Sequence, residues 1–250
     1  MAREDVSIKT KDGDCRAFVF TPEGAKKAAG KWPAVIFYMD GPGIRPTLFG
    51  QAQRLADLGY LVLLPDMFYR VGPYEPIDRT VVKTPEDLMK ARGPMMASTN
   101  VQKAGEDTAG FLAYLDTRKD VAGKKVGTTG YCMGGGMSIT AAGTYPDRIA
   151  AAAAFHPGGL ATDAPISPHL QAPKIKGAVL IGGADKDNFY PREMHAKMEK
   201  ALNDAGVRNH CEIYDGALHG WTMPDGAVYN EPAAERHWKQ LEGFFAENLH

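Results

Sequence analysis

The chain has 250 residues, 44% of them hydrophobic and 24% charged, enough for one large α/β domain that buries its own core without staples. With 29 basic and 30 acidic residues the formal net charge is -1, which leaves no basic excess for phosphates and excludes nucleic acid as an expected partner. The three cysteines, Cys15, Cys132 and Cys211, are odd in number and far apart, which argues against a disulfide framework and against CxxC metal sites.

Reduced thiols of this kind suit a cytoplasmic location. The opening MAREDVSIKT carries Glu4 and Asp5 with no apolar run, so no signal peptide is read there. Residues 126–146 lack charge, but they contain six Gly and four Thr and are interrupted by GGG. That composition suits a strand, a turn and a helix better than a membrane span.

Taken in chain order, short apolar runs alternate with amphipathic stretches, the pattern of βαβ units around a largely parallel sheet. VSIKT (6–10) and CRAFVF (15–20) read as an N-terminal antiparallel hairpin. PAVIFYM (33–39) is a predicted buried strand, 48–58 a helix ending at Gly59, and YLVLLP (60–65) the next strand. Residues 66–97 hold Pro73, Pro76, Pro85 and Pro94 and read as irregular, with a short helix near 85–91. Irregular segments of this length inside a domain usually serve a site. A helix is predicted over 98–118, capped by Ser98 or Thr99. Then come a strand at 124–130, a helix at 133–145, a short strand or helix end at 151–155 and a strand at 176–183. A helix at 191–205 stopped by Gly206, a strand at 210–215 and a closing helix at 232–248 complete a single domain.

The most informative stretch runs from the strand KKVGTTG into Gly130-Tyr131-Cys132-Met133-Gly134. Small residues two before and two after a central nucleophile mark the strained strand-to-helix elbow of α/β hydrolases, here with Cys in place of Ser. A glycine-rich helix start around an inert buried Cys is the bland alternative. Partners follow in the chain order this fold uses, nucleophile, acid, His. Asp185 and Asp187 follow the strand at 176–183, and either could orient a histidine. His219 lies on a Gly-flanked loop after a strand, and His156 is kept as a neighbour of the site. The second oxyanion donor, beside the N–H of Met133, is expected from the loop after PAVIFYM, with Gly41 as donor. Asp40 in that loop would sit near the thiol and could hold or take its proton. As a bare tetrapeptide, DGPG also reads as a tight turn. Tyr131, Phe189 and Trp221 read either as pocket lining or as plain packing. No histidine pair has metal-ligand spacing on one helix, and neither a metal nor a cofactor is expected.

With these residues assembled, the chain resembles the dienelactone hydrolase family over nearly its whole length. The resemblance rests on Gly-Tyr-Cys-Met-Gly-Gly at 130–135, Tyr-Met-Asp-Gly at 38–41, Leu-Pro-Asp-Met-Phe-Tyr-Arg at 64–70 and Tyr-Asp-Gly-Ala-Leu-His-Gly at 214–220. It implies an α/β-hydrolase fold and a Cys-His-Asp triad of Cys132, His219 and Asp187. The family's run of Ala-acid-x-Asp selects Asp187 over Asp185. It also implies that Asp40 occupies the place of a thiol-activating Glu. Dienelactone-cleaving members hold the substrate carboxylate with arginines, one of them four residues after the histidine, where this chain has Met223. Arg70, Arg79 and Arg92 remain as anion contacts. The expected substrate is a small lactone or activated ester, with a general carboxylesterase or thioesterase and a non-catalytic binding protein of the same fold as alternatives. The oligomeric state is left open.

Overall fold

The computed structural model describes residues 3–24, 26, 30–75 and 85–249. Eight strands form one sheet in the order β1-β2-β4-β3-β5-β6-β7-β8. β1 (Arg3–Thr10) and β2 (Gly13–Phe20) make the N-terminal hairpin, and β2 also pairs antiparallel with β4 (Leu61–Pro65). β3 (Trp32–Tyr38), β5 (Val121–Tyr131), β6 (Ile149–Phe155), β7 (Ala178–Lys186) and β8 (Asn209–Leu218) run parallel to β4 and to one another. β3, β4 and β6 have almost every residue buried, as expected for strands covered by helices on both faces.

The helices are α1 (Pro46–Asp57), α2 (Pro85–Ser98), α3 (Val101–Thr117), α4 (Met133–Thr144), α5 (Arg192–Asp204) and α6 (Glu231–Asn248). This is the α/β-hydrolase fold with its N-terminal hairpin. The helix expected over 98–118 is α3, which starts three residues later, at Val101, and has a different cap. Ser98 ends α2, its hydroxyl donating to Met95 O at 2.7 Å, and the N-cap of α3 is Asn100, whose side chain accepts from Lys103 N at 2.8 Å. The expected short helix near 85–91 is therefore the first part of the 14-residue α2. Among the described residues, no helix is long and apolar enough to cross a membrane.

Strand order reverses around β3, which lies between β4 and β5. In open parallel sheets, ligands bind in the crevice beyond the carboxyl ends of the strands at such a reversal. The segments that follow β3, β5, β7 and β8 all leave from that edge.

Candidate active site

The turn after β5 is held by its own chemistry. Cys132 adopts φ 55 and ψ -119, a conformation costly for a residue with a Cβ. Among the described residues, only Cys132 and His156 combine a side chain with positive φ. The elbow backbone is bonded on both sides by the strand beside it. Cys132 N–H donates to Phe155 O at 3.1 Å, and Gly158 N–H donates to Cys132 O at 3.3 Å. The flanking glycines are required sterically. A Cβ on Gly130 would lie 1.9 Å from Gly134 O, and one on Gly134 would lie 2.3 Å from Tyr38 O. The start of α4 therefore abuts the end of β3. The positive end of the helix favours negative charge there.

The candidate acid and the candidate base follow β7 and β8. Asp187 lies one residue past β7 with its side chain fully buried. One carboxylate oxygen accepts from Phe189 N at 2.8 Å and Tyr190 N at 3.3 Å, and the other lies 2.7 Å from His219 Nδ1. Asp185, the rival acid, faces solvent. It pairs with Arg192 at 2.6 Å and accepts from Gly216 N at 3.3 Å. The thiol of Cys132 also acts on the His219 ring. Burial, the largest influence on its ring, favours the neutral form. The bond to Asp187 and the influence of Cys132, with their charges, outweigh burial and raise the pKa from 6.5 to about 10.

His156 lies behind this pair. It is fully buried, its Nε2 is 2.7 Å from Thr222 Oγ1, and its ring centroid is 5.2 Å from that of His219. Burial, with a further push from the charge of His219, holds it well below the ordinary histidine range, so it stays neutral.

The three aromatic residues separate. Phe189 is 64% exposed and its ring centroid is 4.9 Å from that of His219, so it forms part of the site mouth. Tyr131 and Trp221 are fully buried and do not line an open pocket. The Tyr131 hydroxyl meets His237 Nε2 at 3.2 Å, and Trp221 stacks on Tyr214 at 4.8 Å. Their places are set by packing. Arg70 is likewise not available to a substrate. Its guanidinium bonds the buried Asp107 at 2.7 Å and Asp12 at 2.8 Å. Arg79 lies outside the described residues. Arg92, on α2, is close enough for its charge to act on Asp40.

Asp40 does not present a free carboxylate to the thiol. Both its oxygens are held by Arg45, at 2.6 and 2.9 Å, and the pair is nearly dry, with Asp40 3% exposed. Burial pushes the Asp40 carboxyl above its ordinary range, and Arg45 opposes that push. Arg45 also reaches Asp225, six positions past His219, at 2.6 Å. The sequence reading missed Arg45 and Asp225 as a pair. Met223 is buried and touches the Gln51 amide, whose nitrogen donates to Thr222 O at 2.7 Å. No group of three or more His, Cys, Asp or Glu among the described residues is disposed to hold a metal.

Set beside known proteins, residues 15–249 match the model of the dienelactone hydrolase family. The chain belongs to that family. A carboxymethylenebutenolidase from Rhodococcus opacus is 27% identical over 232 residues, covering 90% of this chain and 85% of the relative. Among solved structures, a dienelactone hydrolase-like promiscuous phosphotriesterase from metagenomic libraries superposes with a TM-score of 0.76 at 22% identity and covers 100% of both chains. Pyrococcus horikoshii acylaminoacyl peptidase matches 99% of this chain with 42% of its own, at a TM-score of 0.73 and 17% identity. The last two similarities concern the fold. Family membership makes the chain a hydrolase.

Proposed function

We propose that this dienelactone hydrolase-like enzyme cleaves a small lactone or activated ester through an acyl-enzyme on Cys132. The observation that carries the reading is a strained Cys132 at the strand-to-helix elbow, with a His219 on which its thiol acts and whose Nδ1 is 2.7 Å from the buried Asp187. Nucleophile, base and orienting acid thus stand in the order that acyl transfer through a thiol requires. The Cys132 thiolate attacks the acyl carbon, and the N–H groups of Met133 and Gly41 receive the developing oxyanion. As the tetrahedral intermediate collapses, the C–O bond to the leaving group breaks and the His219 imidazolium gives its proton to the departing alkoxide. The now neutral His219 takes a proton from water as that water attacks the thioester. Cys132 leaves as thiolate, the carboxylic acid is released and His219 is again an imidazolium. Asp187 keeps the ring in the tautomer that serves both transfers. Phe189 offers the substrate an apolar face beside His219.

The substrate favoured by this arrangement is neutral. Arg45 and Arg70 both spend their guanidiniums on carboxylates of the protein, and position 223 carries a buried thioether. The test is acylation by p-nitrophenyl acetate, followed as p-nitrophenol release and by intact mass. The expected result is one acetyl group on Cys132 and loss of turnover in Cys132→Ala. Wild-type turnover in that variant, or acetylation mapped to another residue, overturns the proposal.

A further inference from the structure

We infer that Arg45 is a positioning residue that locks the loop carrying one oxyanion donor to the loop carrying the catalytic histidine. The inference rests on the acyl-transfer reading above. Residues 40–45 follow β3 and include Gly41, while 219–226 follow β8 and include His219. Neither loop has regular structure to fix it, and nothing along the chain couples them. Arg45 does so through space. Its two terminal nitrogens fork onto Asp40 at 2.6 and 2.9 Å, and one of them also donates to Gly43 O at 3.2 Å. Its Nε and one terminal nitrogen bond the two oxygens of Asp225 at 2.6 and 3.3 Å. One guanidinium thereby uses its donors on both loops.

Burial gives the tie its strength. The side chain of Arg45 is 10% exposed and that of Asp40 4%, while that of Asp225, at the rim, is 39% exposed. Charge-assisted fork contacts in such surroundings hold geometry better than any surface pair, because the guanidinium is planar and its donors diverge at fixed angles. Other contacts brace the two loops. Gln51 donates to Thr222 O at 2.7 Å. The Tyr74 hydroxyl accepts from Ile44 N at 3.2 Å and donates to Asp66 at 2.8 Å. The Gly41 N–H has to meet the oxyanion within a few tenths of an ångström, so a loop free to drift loses the benefit of that donor.

The experiment compares two reactions of the same thiol. Alkylation of Cys132 by iodoacetamide is a displacement that forms no oxyanion, whereas acylation by p-nitrophenyl acetate does. In Arg45→Met the acylation rate is expected to fall about tenfold to a hundredfold, as a fraction of the loss seen when an oxyanion donor is deleted. Alkylation should stay within about twofold, and the loss should fall on kcat rather than KM. Arg45→Lys keeps the charge without the fork and should recover only part of the rate. Asp225→Ala cuts the tie at its exposed end and leaves the Asp40–Arg45 pair intact. It gives the same split in smaller measure, and decides the matter if Arg45→Met does not fold. Equal losses in alkylation and acylation, or acylation unchanged in Asp225→Ala, would overturn the inference. A wild-type enzyme that acetylates some residue other than Cys132 would instead remove the acyl-transfer reading itself.

Discussion

Asp187→Asn changes one oxygen for an NH2 at nearly constant shape, and the structure dictates which way the amide must face. One carboxylate oxygen accepts the N–H groups of Phe189 and Tyr190, at 2.8 and 3.3 Å. An NH2 there would leave both donors unpaired in a buried place, so the amide oxygen stays and the NH2 turns to His219 Nδ1. Two donors cannot share that 2.7 Å contact. Nδ1 becomes an acceptor, the ring proton moves to Nε2, and His219 can no longer take a proton on the side left for Cys132. Loss of the tautomer-setting carboxylate in such a constellation costs on the order of 10^4 in kcat. The pH dependence has a definite sign. In the wild type, burial favours the neutral ring, and the bond to Asp187 and the influence of Cys132 win, raising the pKa to about 10. The stability this contributes is complete below about pH 6.5 and is lost as pH rises through about 10. In the variant, burial persists while the Asp187 charge is gone, so the midpoint must fall well below 10. Imidazole NMR of His219, assigned by comparison with His219→Gln, reads the midpoint while steady-state kinetics reads kcat. A midpoint that does not move, or a kcat within about tenfold of wild type, would refute this account of the pair.

Two further outcomes follow from the same geometry. Under limiting iodoacetamide at neutral pH, mass mapping should find Cys132 labelled first. Burial pushes the Cys211 thiol up to about 12 and that of Cys15 well above the ordinary range, leaving almost no thiolate at either; earlier labelling at either position would contradict the assignment. For a matched pair of substrates, one neutral and one bearing a carboxylate, kcat/KM should be similar or should favour the neutral member, since Arg45 and Arg70 are already paired. An anionic preference of about a hundredfold, equivalent to roughly 2.7 kcal/mol, would overturn this expectation and show that an arginine supplies charge to the substrate, to be identified by Ala substitution of Arg70, Arg79 and Arg92 in turn.

Much of the fold was legible because each parallel strand is a short apolar run closed by a turn residue, and the alternation survives with few exceptions. The stretch from 85 to 100 shows why exceptions arise. Prolines normally end helices, so the short helix near 85–91 was expected to stop ahead of Pro94, yet α2 starts with Pro85 at its first position, where the missing N–H costs nothing, and runs on through Pro94 to Ser98. Ser98 and Thr99 looked like caps because their side chains accept backbone N–H groups well. Asn100 makes that bond instead, and Ser98 spends its hydroxyl on the turn behind it. The strand read as 210–215 continues to Leu218 across a residue in the left-handed region, Gly216 at φ 70. A glycine reads as a stop in sequence, and here it is a bend that carries the strand on toward His219.

The site divides along the same physical line. Cys132 was legible because the elbow imposes a local rule, small residues at 130 and 134, and the 1.9 and 2.3 Å approaches there are the steric origin of that rule. The elbow also explains the misplacement of Tyr131. A turn tight enough to lift residue 132 into the crevice leaves its predecessor with the alternation of the strand, and that points Tyr131 into the core against His237. Spacing alone does not tell Asp185 from Asp187; the family resemblance points to Asp187, and tertiary structure separates them by pairing Asp185, at the end of β7, with Arg192 at the surface. Arg45 and Asp225 are 180 residues apart, so no periodicity or spacing joins them. What DGPGIR does offer is an arginine on a glycine-rich loop five residues after an acid. Two opposite charges beside a strand end that must stay dry cannot both be left to solvent or left unpaired. A buried acid of this kind needs a cation close by, and when that cation has donors to spare, the next loop along the sheet edge is within its reach.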